Sequence, residues 1–333
     1  MGTNGKKAVF IYPGSVSAVF LLTPLIRALK KSIPGLKAAL LTTPEIAGLA
    51  KLNPELDTVI SCKESQYQGV LGINRLGDLL KSYKFDLAFC VRPGKRYAMA
   101  TFLAGIPERI GYDTDHAGWF LTKKQPLPVT AEKVRHEGLL KLLNISVDEV
   151  LPEFELPREV KESYWQLQER YGLASSGYIV ICPLAGSPEK SLSQATASHL
   201  VRHWHSKKRR VYLIGSFENG EELEKIAKFA GLPYTQVLAG KISLPELGIF
   251  LSRAELLVTV DSGPLYLAQQ VGCPAVAVFG PTQPPAGRAF TRGTKVLFKK
   301  AECSPCNGKQ KMCKNYDCIG NISVLDIIRA AEE

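Results

Sequence analysis

The chain has 333 residues, of which 45% are hydrophobic and 22% are charged. These fractions are close to the averages of globular proteins, so they exclude a disordered, collagen-like or small disulfide-stapled chain. At about 100–200 residues per domain, the length favours two domains. No apolar run approaches the roughly 20 residues of a membrane span, and the apolar stretch near the N-terminus is too short for a signal-peptide core. We therefore expect neither a membrane span nor a secretion signal.

The charge balance is basic, with 42 Lys and Arg against 31 Asp and Glu and a net charge of +11. An excess of this size favours partners that carry phosphate, such as nucleotides or an anionic membrane surface, although a solvated basic surface is the simpler alternative. No platform of interleaved aromatic and basic residues accompanies the charge, so we do not expect a nucleic-acid partner. Eight cysteines without a secretion signal indicate thiols or metal ligands rather than a disulfide framework.

Strands and helices alternate in the first half of the sequence. The apolar run at 8–12 predicts a buried strand, and the helical spacing of apolar residues over 16–32 predicts the helix that follows. A Pro-Gly pair ends each of these two elements. The pattern continues with strands at 37–41, 58–60 and 85–90 and with helices at 44–52, 75–83 and 132–143. This alternation predicts a parallel, doubly wound sheet.

A second strand–helix series begins after a region that is interrupted by prolines between 126 and 157. We place the domain boundary there, which gives domains at 1–155 and 156–333. The second series contains strands at 178–182, 210–214, 255–260 and 275–279 and a helix at 265–271. Both halves are therefore predicted to be Rossmann-like α/β domains.

The first candidate binding loop is Asp261-Ser262-Gly263-Pro264, which follows a predicted strand and opens a predicted helix. Ligands of open α/β sheets bind beyond the carboxyl ends of the strands, and helix N-termini favour anions such as a diphosphate. Asp261 would accept hydrogen bonds from sugar hydroxyls at this position. The alternative is that Asp261 is only a helix N-cap.

The second candidate loop runs from Gly186 to Lys190 at the end of the strand at 178–182. The Ser187 hydroxyl and the Lys190 ammonium suit a phosphate group, whereas an ordinary turn with an exposed lysine is the alternative. The sequence has neither the G-x-G-x-x-G fingerprint of nicotinamide-dependent enzymes nor a Walker loop.

Taken together, these segments resemble a known family. The segment TVDSGPLYLAQQVGCPAVAVFGPTQP at 259–284 is similar to the signature of glycosyltransferase family 9, the ADP-heptose:lipopolysaccharide heptosyltransferases. Further similarity lies in the segments 13–35, 85–112 and 238–263 and in the C-terminal cysteine region. The resemblance covers almost the whole chain in order.

The resemblance implies the GT-B architecture, in which two Rossmann-like domains face each other across a cleft. The C-terminal domain would bind an ADP-sugar donor, and the N-terminal domain would bind a phosphorylated lipid A–core acceptor. Transfer would invert the anomeric centre and would require no cofactor. The enzyme would be cytoplasmic and peripheral on the inner face of the inner membrane, where the net charge of +11 suits an anionic membrane surface.

The resemblance also implies which residues bind the two substrates. The donor-binding residues would be Ser187, Lys190, Glu218, Asp261, Ser262, Gly263 and Tyr266, with Asn219 as an alternative to Glu218. The acceptor-binding residues would be Gly14, Ser15, Lys95, Arg96 and Arg109.

Two positions depart from the family pattern. The opening motif of the family ends in an Asp that is taken to be the general base, and Ala18 occupies that position here. Loss of a general base typically costs about 10²–10⁴-fold in rate. By topology, the nearest substitutes are Asp113, Asp115 and His116. Tyr266 stands where the family has His. Because of both departures, Ala18 and Tyr266, a non-catalytic or re-specialised nucleotide-sugar-binding homologue is the alternative function.

Four of the eight cysteines cluster near the C-terminus, at Cys303, Cys306, Cys313 and Cys318. The Cys-x-x-Cys half of this spacing is typical of zinc or iron–sulfur sites, but the second pair lacks it. One prediction is therefore a small structural metal site, and the other is a cysteine-rich loop with free thiols or one disulfide.

Overall fold

The computed structural model describes residues 5–14, 16–128, 132–147, 156–284, 293–306, 313 and 315–333, with the backbone alone at 18 and 132–135. The chain divides into two compact units, Met1–Phe154 and Glu155–Glu333. The sequence places the boundary one residue later. Each unit contains one parallel sheet with helices packed against it.

The strands of the first unit are β1 (Lys7–Ile11), β2 (Lys37–Thr42), β3 (Thr58–Ser61), β4 (Leu87–Cys90), β5 (Glu108–Tyr112) and β6 (Lys123–Gln125). Its helices are α1 (Val16–Leu21), α2 (Thr23–Ser32), α3 (Pro44–Ala50), α4 (Gly69–Tyr83), α5 (Lys95–Leu103) and α6 (Glu132–Lys141). The sheet order β3-β2-β1-β4-β5-β6 is that of the Rossmann fold. In such a sheet the order in which successive strands are added reverses between β1 and β4, and ligands bind at this point, the strand reversal.

The strands of the second unit are β7 (Ile179–Cys182), β8 (Val211–Leu213), β9 (Leu256–Val260), β10 (Ala275–Phe279) and β11 (Thr294–Phe298). Its helices are α7 (Arg158–Tyr171), α8 (Gln194–Ser206), α9 (Gly220–Ala230), α10 (Leu244–Ser252), α11 (Gly263–Gln270), α12 (Asp317–Gly320) and α13 (Val324–Glu332). The order β11-β10-β9-β7-β8 is that of a doubly wound sheet, and its strand reversal lies between β7 and β9.

The central strands are buried on both faces, as the apolar runs in the sequence predict. Ala8 to Ile11 of β1 and Ala275 to Phe279 of β10 are at most 1% exposed. Burial of both faces is typical of parallel sheets that are covered by crossover helices. The predicted class, two Rossmann-like doubly wound α/β domains, is confirmed.

One predicted element differs in the structure. The single helix expected over 16–32 is two helices, α1 and α2, which meet at Leu22. Pro24 lies in the first turn of α2, where its missing N–H costs nothing, whereas inside one long helix it would remove a backbone hydrogen bond. The Thr23 hydroxyl instead donates to the Val19 carbonyl at 2.7 Å.

None of the helices in the described part of the chain has both the length and the apolar character that crossing a bilayer requires.

Candidate functional site

The predicted donor-binding residues lie beyond the carboxyl ends of the strands of the second sheet, and the side chains of Lys190 and Asp261 meet there. Lys190 lies in the turn after β7, and Asp261 directly follows β9, the neighbouring strand. The Lys190 Nζ lies 3.0 Å from the Asp261 Oδ2. This pair stands at the reversal between β7 and β9, the position at which a doubly wound sheet binds its ligand.

A third strand end contributes to the same carboxylate. Thr282, three residues after the end of β10, donates its hydroxyl to the Asp261 Oδ2 at 2.7 Å. The side chain of Asp261 is 14% exposed, so one oxygen is fixed by two donors while the carboxylate still reaches solvent. The orientation of the Asp261 carboxylate is thus fixed within the protein, and its other oxygen keeps free acceptor positions.

The serine beside Asp261 is held from the strand beneath it. The Ser262 hydroxyl lies 3.0 Å from the Thr259 hydroxyl and 3.9 Å from the Cys182 thiol. Burial raises the pKa of Cys182 to about 11, so this group remains a neutral thiol at neutral pH. Ser262 is the residue before α11, and Gly263 is the first residue of that helix. The free N–H groups of the first helical turn lie here, at the positive end of the helix dipole.

The Gly186–Lys190 turn is closed by hydrogen bonds of its own. The Ala185 N–H donates to the Ser191 hydroxyl at 3.0 Å, and that hydroxyl donates to the Ser187 carbonyl at 3.0 Å. A Cβ added to Gly186 would meet nothing within 4 Å. The turn is therefore fixed by Ser191, and the Lys190 side chain is not needed to close it and pairs with Asp261 instead.

The choice between Glu218 and Asn219 has a structural basis. The Asn219 Oδ1 accepts from the Ser216 N–H at 3.1 Å and from the Ser216 hydroxyl at 3.0 Å, which forms a capping box. Glu218 is exposed, and the Ser216 hydroxyl, which it shares with Asn219, lowers the pKa of its carboxyl. The Asn219 side chain therefore stabilises the turn, whereas the Glu218 carboxylate faces solvent. Tyr266, in α11, is only 8% exposed.

The acceptor-binding residues predicted in the first unit fall into two groups. Gly14, Lys95 and Arg96 follow β1 and β4, the strands between which this sheet reverses. Gly14 has a φ of +78°, and a Cβ there would lie 2.9 Å from the Arg92 Nη1. The positive φ favours glycine at this position, whereas the close contact could be relieved by a small movement of the flexible Arg92 side chain. Ser15 lies outside the described residues.

Arg109 is engaged elsewhere. Its guanidinium donates to the backbone carbonyls of Phe120 at 2.6 Å, Ile106 at 2.5 Å and Pro107 at 3.3 Å, and it lies over the Phe102 ring. These contacts join the segment that precedes β5 to the segment that follows it. The acceptor role of Arg109 stays a prediction, and the structure gives this side chain a different set of partners.

Arg92 and Glu64, which the sequence did not indicate, form a cluster with Arg96 beyond the ends of β1 and β4. Arg92 donates through Nη1 to the Pro13 carbonyl at 2.7 Å and to the Glu64 Oε1 at 2.5 Å. Arg96 donates to the other oxygen, Oε2, at 3.1 Å, and its guanidinium lies 4.6 Å from the centre of the Tyr97 ring. Arg92 lies two residues after the end of β4, so strand-end position was the available signal. Glu64 carries no comparable signal, because it reaches the cluster from the turn after β3.

The three candidate bases lie beyond β5. Asp113 accepts from the Gly118 N–H at 3.1 Å and pairs with Lys124 at 3.0 Å, and the hydrogen bond from Lys124 lowers the pKa of its carboxyl. Asp115 and His116 follow with φ angles of +49° and +61°, and the His116 ring contacts the Trp119 ring edge-on. Their role as bases stays a prediction.

The C-terminal cysteines pack on the loop after β10. The Cys306 N–H donates to the Pro281 carbonyl at 2.9 Å, and the buried Ser304 hydroxyl donates to the Gly280 carbonyl at 2.6 Å. All eight cysteines are free thiols. In the ranges that the structure describes, no three His, Cys, Asp or Glu side chains are grouped so that they could hold a metal ion. The described thiols do not form a ligand set, and the metal site stays a prediction.

Comparison with known proteins places this geometry in a family. The model of glycosyltransferase family 9 (heptosyltransferase) matches residues 73–317. A relative from Escherichia coli, lipopolysaccharide heptosyltransferase 3, is 25% identical in an alignment of 326 positions that covers 95% of each chain. Two solved structures each have a TM-score of 0.75. One is E. coli ADP-heptose LPS heptosyltransferase II, at 19% identity, covering 98% of this chain and 97% of that one. The other is a family 9 glycosyltransferase from Veillonella parvula, at 22% identity, covering 100% and 97%. These likenesses show the two-domain fold of the GT-B class. Because the family model matches most of this chain, the chain belongs to glycosyltransferase family 9.

Proposed function

We propose that this family 9 glycosyltransferase transfers heptose from ADP-heptose to a phosphorylated lipid A–core acceptor, with inversion at the anomeric carbon. The observation that carries the proposal is the meeting of Lys190, Asp261 and Thr282 at the strand reversal of the second unit. The names of the relatives support the substrate classes, since they include an ADP-heptose LPS heptosyltransferase and a lipopolysaccharide heptosyltransferase.

In this proposal the donor binds to the second unit. The diphosphate would accept hydrogen bonds from the N–H groups in the first turn of α11 and would form an ion pair with Lys190, because helix N-termini and lysine both favour phosphate. The Asp261 carboxylate would accept hydrogen bonds from heptose hydroxyls, and Glu218 from the ribose. The positive groups already present would stabilise the ADP leaving group, so we propose that transfer needs no metal ion or other cofactor.

The acceptor would bind to the first unit through its phosphate groups. Arg92 and Arg96 both bind Glu64 at the strand reversal, and guanidinium groups match phosphate oxygens in a bidentate geometry. Lys95 begins the same helix as Arg96, and its Nζ lies 6.0 Å from the centre of the Phe120 ring. We propose that the protein works on the inner face of the inner membrane, where anionic lipid attracts a basic protein. The net charge of +11 supports this location.

Calorimetric titration with ADP-heptose, with ADP-glucose, UDP-glucose and GDP-mannose as controls, tests the donor. The expected result is binding of ADP-heptose in preference to the UDP- and GDP-sugars. A turnover assay on the same sample, with a phosphorylated lipid A–core acceptor and with or without EDTA, tests transfer. Turnover that EDTA does not change is expected. Binding without turnover on any such acceptor would favour the non-catalytic homologue, and no binding of ADP-heptose would contradict the proposal.

A further inference from the structure

The segment in which the family places its general base carries no proton-accepting carboxylate in this chain. Ala18 occupies the position, and the first 44 residues contain neither Asp nor Glu. That stretch includes β1, the loop after it, α1, α2 and β2. A carboxylate that acts at this loop therefore has to come from another element of the unit.

Glu64 brings a carboxylate to this loop from the turn after β3. A Cβ placed on Gly14 would lie 3.5 Å from the Glu64 Oε1. Arg92 joins the two elements, because its Nη1 donates both to the Pro13 carbonyl at 2.7 Å and to the Glu64 Oε1 at 2.5 Å. The side chain of Glu64 thus spans the ends of β2 and β1 and reaches the strand reversal.

The carboxylate is held firmly and can still accept another hydrogen bond. Arg92 binds Oε1 and Arg96 binds Oε2 at 3.1 Å, so both oxygens are oriented. Each carboxylate oxygen has two acceptor sites, and each arginine uses one of them. The side chain of Glu64 is 26% exposed, which leaves the remaining sites within reach of a ligand hydroxyl.

The neighbouring polar groups are less suited to take a proton. Burial raises the pKa of Tyr97, which keeps its hydroxyl protonated. Asp113 is bound by Lys124 and by the Gly118 N–H at the end of β5, and β5 is separated from β1 by β4. With strands about 4.8 Å apart, that places Asp113 on the far side of the strand reversal from Glu64.

We propose that Glu64 is the general base of the transfer reaction and replaces the missing family aspartate. This inference rests on the proposed function. The acceptor hydroxyl gives its proton to a Glu64 oxygen while the hydroxyl oxygen bonds to the anomeric carbon of the donor. The bond from that carbon to the diphosphate breaks, and ADP leaves with the electron pair. Arg92 and Arg96, which orient Glu64, also bind the acceptor phosphate and so bring the hydroxyl to the base.

The test compares Glu64→Gln, Glu64→Asp and the control Glu55→Gln with the unmodified protein. Glu55 is a matched control because it is also a carboxylate paired with an arginine, Arg27, at 2.9 Å, with 20% exposure. For each protein we would measure ADP-heptose affinity, the single-turnover rate and the pH dependence of that rate. A general base gives a rate that falls at low pH as the base is protonated.

We expect Glu64→Gln to bind ADP-heptose as the unmodified protein does, to lose about 10²–10⁴-fold in turnover, and to lose the fall in rate at low pH. Glu64→Asp should keep that fall with a smaller loss, and Glu55→Gln should behave as the unmodified protein does. Turnover by Glu64→Gln within threefold of the control would overturn the inference. So would a large loss that leaves the low-pH fall in place, since Glu64 would then only position its arginines. Failure of the unmodified protein to transfer heptose would instead overturn the proposed function, and this inference with it.

Discussion

The Nζ of Lys190 lies 3.0 Å from the Oδ2 of Asp261, although the two residues are 71 positions apart in the sequence. Each follows a strand, and β7 and β9 are parallel neighbours, so the sheet itself brings the lysine and the carboxylate together. The pair contains one group that suits a phosphate and one that suits a sugar hydroxyl. A nucleotide sugar has both, and the pair therefore allows the two parts of the donor to be tested separately.

Replacing Asp261 by Asn should weaken the binding of ADP-heptose but not that of ADP. A carboxylate hydrogen bond to a sugar hydroxyl contributes about 1.5–3 kcal/mol, which corresponds to about 10–100-fold in affinity. ADP lacks the heptose, and removal of a negative charge near its phosphates should leave its affinity equal or higher. Calorimetry with both ligands checks this. Glu255→Gln, which removes a surface carboxylate paired with Arg209 in the same unit, is the control. Equal loss for both ligands would contradict the assignment of Asp261 to the sugar.

Replacing Arg96 by Gln should raise the KM for a phosphorylated acceptor and leave ADP-heptose affinity unchanged. Arg96 stands at the strand reversal of the first unit, where its guanidinium is shared with Glu64. Loss of a charge-assisted contact to phosphate should cost about 10-fold or more in KM. Steady-state kinetics with the acceptor varied would measure the effect.

Arg109→Gln gives the contrasting result, because the Arg109 guanidinium donates to three backbone carbonyls. We expect this change to lower the free energy of unfolding by about 1–3 kcal/mol and to alter the acceptor KM little in protein that remains folded. Thermal unfolding followed by kinetics distinguishes the two arginines. A larger rise in KM for Arg109→Gln than for Arg96→Gln would support the acceptor-binding role that the sequence predicts for Arg109.

The sequence was sufficient for the residues whose position follows from strand ends. Asp261 and Lys190 could be placed because each lies in the loop after a recognisable apolar run, and parallel strands align the ends of such runs. Thr282 was missed because a threonine after a strand carries no distinctive chemistry. Glu64 was missed for a different reason: its carboxylate reaches β1 across β2 from an edge strand. That reach depends on side-chain packing around Arg92, which residue spacing does not encode.

Replacing Asp57 by Asn should destabilise the first unit at neutral pH and have little effect in strong acid. Burial alone would raise the pKa of Asp57, but hydrogen bonds from Lys37, the Ala38 N–H and Lys30 outweigh it and lower the pKa to about 2. A carboxyl whose pKa is about 3.9 when unfolded then stabilises the fold above about pH 4, and this contribution is lost as the pH falls towards 2.

Because these contacts lie near the surface, screening by solvent reduces the expected loss at neutral pH to about 1 kcal/mol. Urea unfolding of Asp57→Asn and of the unmodified protein between pH 2 and 7 measures it. Asp78→Asn, which changes an exposed carboxylate on α4, is the control. If the free energies of unfolding of Asp57→Asn and of the unmodified protein differ by the same amount down to pH 2, Asp57 acts through packing rather than charge.

For the C-terminal cysteines the sequence is compatible either with a metal site or with free thiols. Cys303 is exposed and Cys318 is buried. Burial, and then the nearby thiols of Cys303, Cys306 and Cys313, raise the pKa of Cys318. The thiolate is the nucleophile, so iodoacetamide should label Cys303 at least about 10-fold faster than Cys318. Mass spectrometry of the folded protein, with denatured protein as the fully labelled control, checks this order.

The buried cysteines of the two sheets provide an internal reference for that experiment. Burial raises the pKa of Cys62 and Cys182 to about 11 and that of Cys90 and Cys273 to about 12, so all four should stay unlabelled in folded protein. Protection of Cys303 to the same extent, together with stoichiometric zinc or iron in protein purified without oxygen, would show that a metal ion binds these thiols. Rapid labelling of Cys303 in metal-free, fully folded protein would instead show that packing and hydrogen bonds alone stabilise the loop after β10. One of these hydrogen bonds, from the Ser304 hydroxyl to the Gly280 carbonyl, is buried.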